Sequence, residues 1–73
     1  MLWINRIIEE QFGVDRMHVR DTMRFAEDLQ ADALDMEELR MKMEYCYGIS
    51  VPTSDFFLLK TVGEARAFIE ALM

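Results

Sequence analysis

The residues Asp32-Ala33-Leu34-Asp35 place two carboxylates three positions apart around a small and an apolar side chain. At the head of a stretch with helical apolar spacing, that pattern starts a helix: Asp32 can accept from the backbone, and Asp35 can reach back as in a capping box. Other reactive groups are sparse. His18 is the single histidine and Cys46 the single cysteine, so no spaced second ligand is available for zinc. The acids could hold a hard cation only loosely, since no EF-hand loop with its glycine and alternating carboxylates occurs. There is no glycine-rich phosphate loop. No nucleophile–base pair or metal constellation points to catalysis, and the chain is not expected to be an enzyme. Cys46 falls among apolar positions and is expected to be a buried structural cysteine. Arg16, Arg20 and Arg24 recur every four residues but alternate with Asp15 and Asp21, so solvated or locally paired arginines are expected.

Charge is unevenly placed. The net charge is −6, yet residues 1–26 balance to zero. Residues 27–44 carry seven acids (Glu27, Asp28, Asp32, Asp35, Glu37, Glu38, Glu44) against Arg40 and Lys42, a net of −5. A field concentrated this way repels nucleic acid and anionic lipid and attracts basic protein patches. The bland alternative is a solvated acidic helix face. No apolar run approaches the roughly 18 residues of a membrane span. The first residues also lack the basic region and apolar core of a signal peptide, so a cytoplasmic protein is expected.

The elements that must position these residues are helical. Seventy-three residues make one domain, small enough that most of its apolar residues must share one core. Ile4, Ile7, Ile8 and Phe12 give a helix over 2–12, ended by Gly13. A long connection follows over 13–31, where Val14, Met17, Val19, Met23, Phe25 and Leu29 recur without a period. A connection of that length is expected to be pinned to the core, functional, or both. A second helix spans 33–47 and closes at Gly48. Ile49 to Pro52 is extended, and Thr53, Ser54 and Asp55 can cap a short helix over 56–59. Thr61-Val62-Gly63-Glu64 is a capping box opening a last helix with Val62, Ala65, Ile69 and Leu72 inward. Phe56 to Leu59 are expected to close the bundle, and Trp3 to pack at its edge. The sum is an all-α bundle of three longer helices plus one short one.

The second helix has two apolar faces. At about 100° per residue, Met36, Leu39, Met43, Cys46 and Tyr47 cluster on one side. Leu34, Met41 and Tyr45 cluster opposite, with Glu38 among them; Glu37 and Glu44 flank one edge, Asp35 and Lys42 the other. A single-layer bundle cannot bury both faces. The outer one has the make-up of a docking surface, apolar contact beside steering charge, although scattered exposed apolar residues are also ordinary.

The run Phe25-Ala26-Glu27-Asp28-Leu29-Gln30-Ala31-Asp32-Ala33-Leu34-Asp35 resembles the signature of acyl carrier proteins, Asp-Leu-Gly-Ala-Asp-Ser-Leu-Asp. Ile7 to Val14, Ile49 to Pro52, and Thr61-Val62 with Ile69 are similar to the family's other segments, without evident gaps. The resemblance implies a right-handed helical bundle, monomeric, whose attachment serine carries 4′-phosphopantetheine and presents acyl thioesters for fatty acid, polyketide or related synthesis. It implies partners with basic, apolar-lined patches: a phosphopantetheinyl transferase and acyl synthases or transferases. The expected docking residues are Asp32, Leu34, Asp35, Glu37, Glu38, Met41, Glu44 and Tyr45. Three positions depart from the pattern. Ala33 stands where the serine belongs, and a methyl group cannot form the phosphodiester. Gln30 replaces a glycine, and Arg40 and Lys42 add positive charge to a helix that is normally acidic. A laboratory serine-to-alanine change and a natural carrier paralogue that lost the arm and kept a docking or regulatory role both account for Ala33.

Overall fold

Apolar spacing, caps and two left-handed glycines account for most of the helix boundaries in the computed structural model, which describes residues 4–73. Helix α1 covers Ile4–Phe12, a short 3-10 turn Arg16–His18, α2 Ala33–Tyr47, α3 Thr53–Phe56 and α4 Val62–Leu72. Trp3 and the first two positions of the expected first helix lie outside the described residues. Gly13 and Gly48 end α1 and α2 at φ of 73° and 64°, a region glycine enters without steric cost. The capping boxes at both Asp32/Asp35 and Thr61/Glu64 are formed in full.

The core draws on every α-helix. Ile4, Ile7 and Ile8 of α1 meet Leu39 and Met43 of α2, Phe56 of α3, and Val62, Ala65 and Ile69 of α4; Val51 completes it from the segment before α3. The connection over 13–31 is pinned by Val19, Phe25 and Leu29, all buried. Met17 is not part of this anchoring and stands in solvent on the 3-10 turn.

The connection is also tied to the approach of α4 by backbone hydrogen bonds. Phe25 N–H donates to Lys60 C=O, Val62 N–H to Met23 C=O and Gly63 N–H to Asp21 C=O, each at 2.9 Å. Gly63 suits this close approach, because a side chain there would crowd Asp21. A Cβ would lie 3.0 Å from Asp21 Cβ and 3.1 Å from its carbonyl oxygen. Arg66 extends the tie, pairing with Asp21 at 3.0 Å and donating to Asn5 Oδ1 of α1. Arg24 pairs locally with Glu27 and Asp28, while Arg16 and Arg20 are exposed.

Further expectations change. Leu72, expected on the inward stripe of α4, is 39% exposed, since it is the last residue of the helix. The short helix is Thr53–Phe56, earlier than 56–59, with Pro52 at its cap and no side-chain cap bond. Proline at the cap fixes the turn, so Thr53, Ser54 and Asp55 are helical residues rather than caps. Only Phe56 of the Phe-Phe-Leu-Leu run is fully buried; Leu59 is half-buried, and Phe57 and Leu58 face out, because the helix stops before it can turn them inward. Cys46 is exposed, not buried. It sits at the margin of the core stripe, where the groove between α1 and α2 opens beside Ile7 and Glu10.

Candidate docking and attachment site

The first turn of α2 is held by reciprocal caps. Asp35 N–H donates to Asp32 Oδ1 at 2.8 Å, and Asp32 N–H donates to Asp35 Oδ2 at 3.2 Å. These carboxylates offset the partial positive charge of the helix start. Between them, Ala33 and Leu34 are the first helical residues, and both are exposed. The chain reaches this point through Gln30 at φ 54°, the one non-glycine left-handed residue among those described. A side chain in that region costs about 1–2 kcal/mol.

Ala33 stands at the rim of a groove of about 520 Å³ between the start of α2 and the loop after α3. Phe25, Met36, Phe57 and Leu59 give it apolar walls, and Arg24 and Lys60 put cations at it. No lining side chain carries a hydroxyl or thiol. The groove therefore offers no alcohol oxygen from which a phosphodiester could be formed.

Along the rest of α2 the structure sorts the expected docking residues into two groups. Leu34, Met41 and Tyr45 lie outward, 65%, 55% and 89% exposed, with Glu38 exposed among them. Glu38 accepts from Gln11 Nε2 at 2.9 Å, which orients the carboxylate without cancelling its charge. Glu37 and Glu44 turn instead to Arg40, whose side chain is only 13% exposed. The Arg40 guanidinium hydrogen-bonds to Glu37, pairs with Glu44 at 3.1 Å and donates to Val51 C=O at 3.0 Å. Val51 N–H donates to Glu44 Oε2 at 2.7 Å. Both polar backbone groups of one buried residue are thus held by a single ion-paired unit. The hydrogen bond from Arg40 holds the Glu37 carboxyl below the usual carboxylate range, and Glu37 in turn raises the Arg40 guanidinium. Sequence spacing missed this unit. Its signal was Glu37-x-x-Arg40-x-x-x-Glu44, one arginine three and four positions from two acids.

The positive charge that Arg40 adds to α2 lies on its α3 side, against Glu37, Glu44 and Val51. Lys42 is half-buried and lines the α1–α2 groove with Met41, Tyr45 and Cys46. No cluster of three or more potential metal ligands occurs among the described residues, and no helix of the described residues is long and apolar enough to cross a membrane.

A small helical bundle whose second helix opens at a groove and shows apolar residues on both sides defines a carrier-type domain. The chain matches the family described as Phosphopantetheine attachment site over residues 3–69. It is 40% identical over 68 residues to an acyl carrier protein of Helicobacter hepaticus, covering 93% of this chain and 90% of that one. It is 38% identical over 65 residues to an acyl carrier protein of Lactobacillus johnsonii, covering 89% and 81%. A solved Mycobacterium tuberculosis structure named as an acyl carrier protein shares the fold at a TM-score of 0.88 and 24% identity, over 96% of this chain and 93% of that one. The chain belongs to the acyl carrier protein family of phosphopantetheine carriers. Members of that family carry groups and do not catalyse their transfer.

Proposed function

We propose that Ala33 occupies the position at which the family's serine takes 4′-phosphopantetheine, and that this chain as written docks to carrier-reading enzymes without an arm. The observation that supports this is the placement of Ala33. It is the first residue of α2, exposed, enclosed by a complete Asp32/Asp35 cap, at the rim of a groove lined by no hydroxyl or thiol. One missing oxygen separates this site from one able to accept the arm.

The surface for partners would be Leu34, Met41 and Tyr45 with Asp32, Asp35 and Glu38, meeting a basic, apolar-lined patch. Apolar contact supplies affinity there, and charge supplies steering. The partners implied are a phosphopantetheinyl transferase and acyl synthases or transferases of fatty acid, polyketide or related synthesis, with the protein acting as a cytoplasmic monomer. Two origins fit the site: a charged carrier altered from serine at position 33, and a native arm-less paralogue with a docking or regulatory role.

Incubating the Ala33→Ser variant with coenzyme A and a carrier-specific phosphopantetheinyl transferase, then measuring intact mass, tests the reading. The expected result is the mass of one arm added to Ala33→Ser and nothing added to the parent chain. A folded Ala33→Ser variant that gains no mass overturns it.

A further inference from the structure

We infer that Arg40 is a specificity-determining residue: by holding Glu37 and Glu44 against Val51, it withdraws one acidic edge of α2 and confines charge reading to the Glu38 side of the helix. The inference rests on the docking role proposed for the outward face of α2.

Glu37 and Glu44 flank one edge of the Leu34/Met41/Tyr45 stripe, Glu38 lies within it, and Asp35 and Lys42 flank the other edge, so a helix without Arg40 would present free acids at the Glu37/Glu44 edge as well as at Glu38. That edge and the outward face are treated differently. On the α3 side, the guanidinium reaches both Glu37 and Glu44, and Glu44 also takes the Val51 N–H. These carboxylates keep one net negative charge between them, with oxygens turned to internal donors. A partner lysine would have to compete with a bidentate guanidinium fork, which an ammonium matches poorly. On the outward face, Glu38 has only the neutral Gln11 amide as partner. Free negative charge on this face is thus left to Glu38, with Lys42 half-buried at the edge away from Glu37. The complementary partner is a protein surface bearing an apolar helix with its cations aligned to Glu38 and the first turn, not spread along both flanks.

The same unit ties α2 to the residue that precedes α3 by one turn-starting proline. Loosening Arg40 therefore frees Glu37 and Glu44 together and unpins Val51. A direct readout exists that needs no partner: the Val51 amide should exchange with solvent faster in Arg40→Met than in the parent chain.

The test uses the full chain and a synthetic amphipathic peptide, leucines on one face and lysines at its margins, followed by fluorescence anisotropy near physiological ionic strength. There the Debye length is about 8 Å, so local contacts outweigh the general field. Glu38→Gln is expected to weaken binding by roughly two- to fivefold, the size of one exposed charge contact. Glu37→Gln and Glu44→Gln should change it by less than about twofold. Arg40→Met, checked for helicity, should tighten it by roughly two- to fivefold. Arg40→Lys, which keeps the charge but cannot span three acceptors, should tighten it less, and it serves if Arg40→Met does not fold. Binding that depends on Met41 and Glu38, yet falls equally in Glu37→Gln and Glu44→Gln or fails to rise in the Arg40 variants, overturns the role of Arg40 alone. Binding indifferent to both Met41→Ala and Glu38→Gln overturns the docking reading, and this inference with it.

Discussion

Helices α2 and α4, the two longest elements among the described residues, start with the same kind of capping box and are used in different ways. Helix α4 buries Val62, Ala65 and Ile69 in one stripe and turns its polar residues outward or, in Arg66, toward α1 and the connection. Helix α2 buries only Leu39 and Met43 and spends three large apolar residues on solvent. If both helices served only to close a core, the longer one would bury more. The difference marks α4 as a wall and α2 as a surface kept free for contact, at a cost in burial that a small domain feels.

The contrast is broken or upheld most directly by truncating equivalent apolar residues on the two helices. Ile69→Ala should destabilise by about 2–5 kcal/mol, as buried isoleucine truncations do. Met41→Ala, on the outward stripe, should change stability by less than about 0.5 kcal/mol, as exposed substitutions do. Urea denaturation of the two variants measures both. Equal losses would show that the outward stripe is packed rather than presented.

How much of this was legible in the sequence depended on whether a signal was local. Caps at Asp32 and Thr61, stops at Gly13 and Gly48, and the 33–47 span of α2 follow from side-chain chemistry within four residues, and all appear as expected. The outward stripe was legible because helical spacing alone separates Leu34, Met41 and Tyr45 from Leu39 and Met43. Periodicity failed where the outcome depended on a neighbour. Cys46 sits on an angular margin that only the position of α1 resolves. The Phe56–Leu59 run was misplaced because Pro52, rather than the threonine and serine after it, sets the helix start. The role of Gly63 depends on Asp21, far away in sequence, and reads as a mild helix cost until the connection is laid beside it.

The approaches to the two helices differ as well, and Gln30 gives an intermediate test. Helix α4 is approached through backbone hydrogen bonds to the connection, with ordinary geometry. Helix α2 is approached through Gln30 at φ 54°. Gln30→Gly should relieve the left-handed penalty and stabilise by about 1 kcal/mol, offset in part by the freedom glycine gains when unfolded. A rise in thermal midpoint with unchanged helicity is the expected reading. No rise would place the strain elsewhere and make the two approaches equivalent.

The smallest expected effect concerns the acid side of the stability curve, where α2 again differs from α4. The Glu37 carboxyl is held below its ordinary value by its hydrogen bond from Arg40, whereas Glu64 of α4 accepts from backbone N–H groups and not from a guanidinium. A carboxylate with a lowered folded-state pKa binds fewer protons folded than unfolded across that window. Its stabilisation is therefore complete above the unfolded value, near 4.5 for this group, and fades as pH falls through the lowered folded value. Glu37→Gln should flatten the loss of stability below that point. Urea midpoints of the parent chain and the variant, followed from neutral pH downward, measure it. A parent chain and a Glu37→Gln variant with parallel acid limbs would mean that the Arg40 unit is not held in solution, and that both edges of α2 are open to a partner.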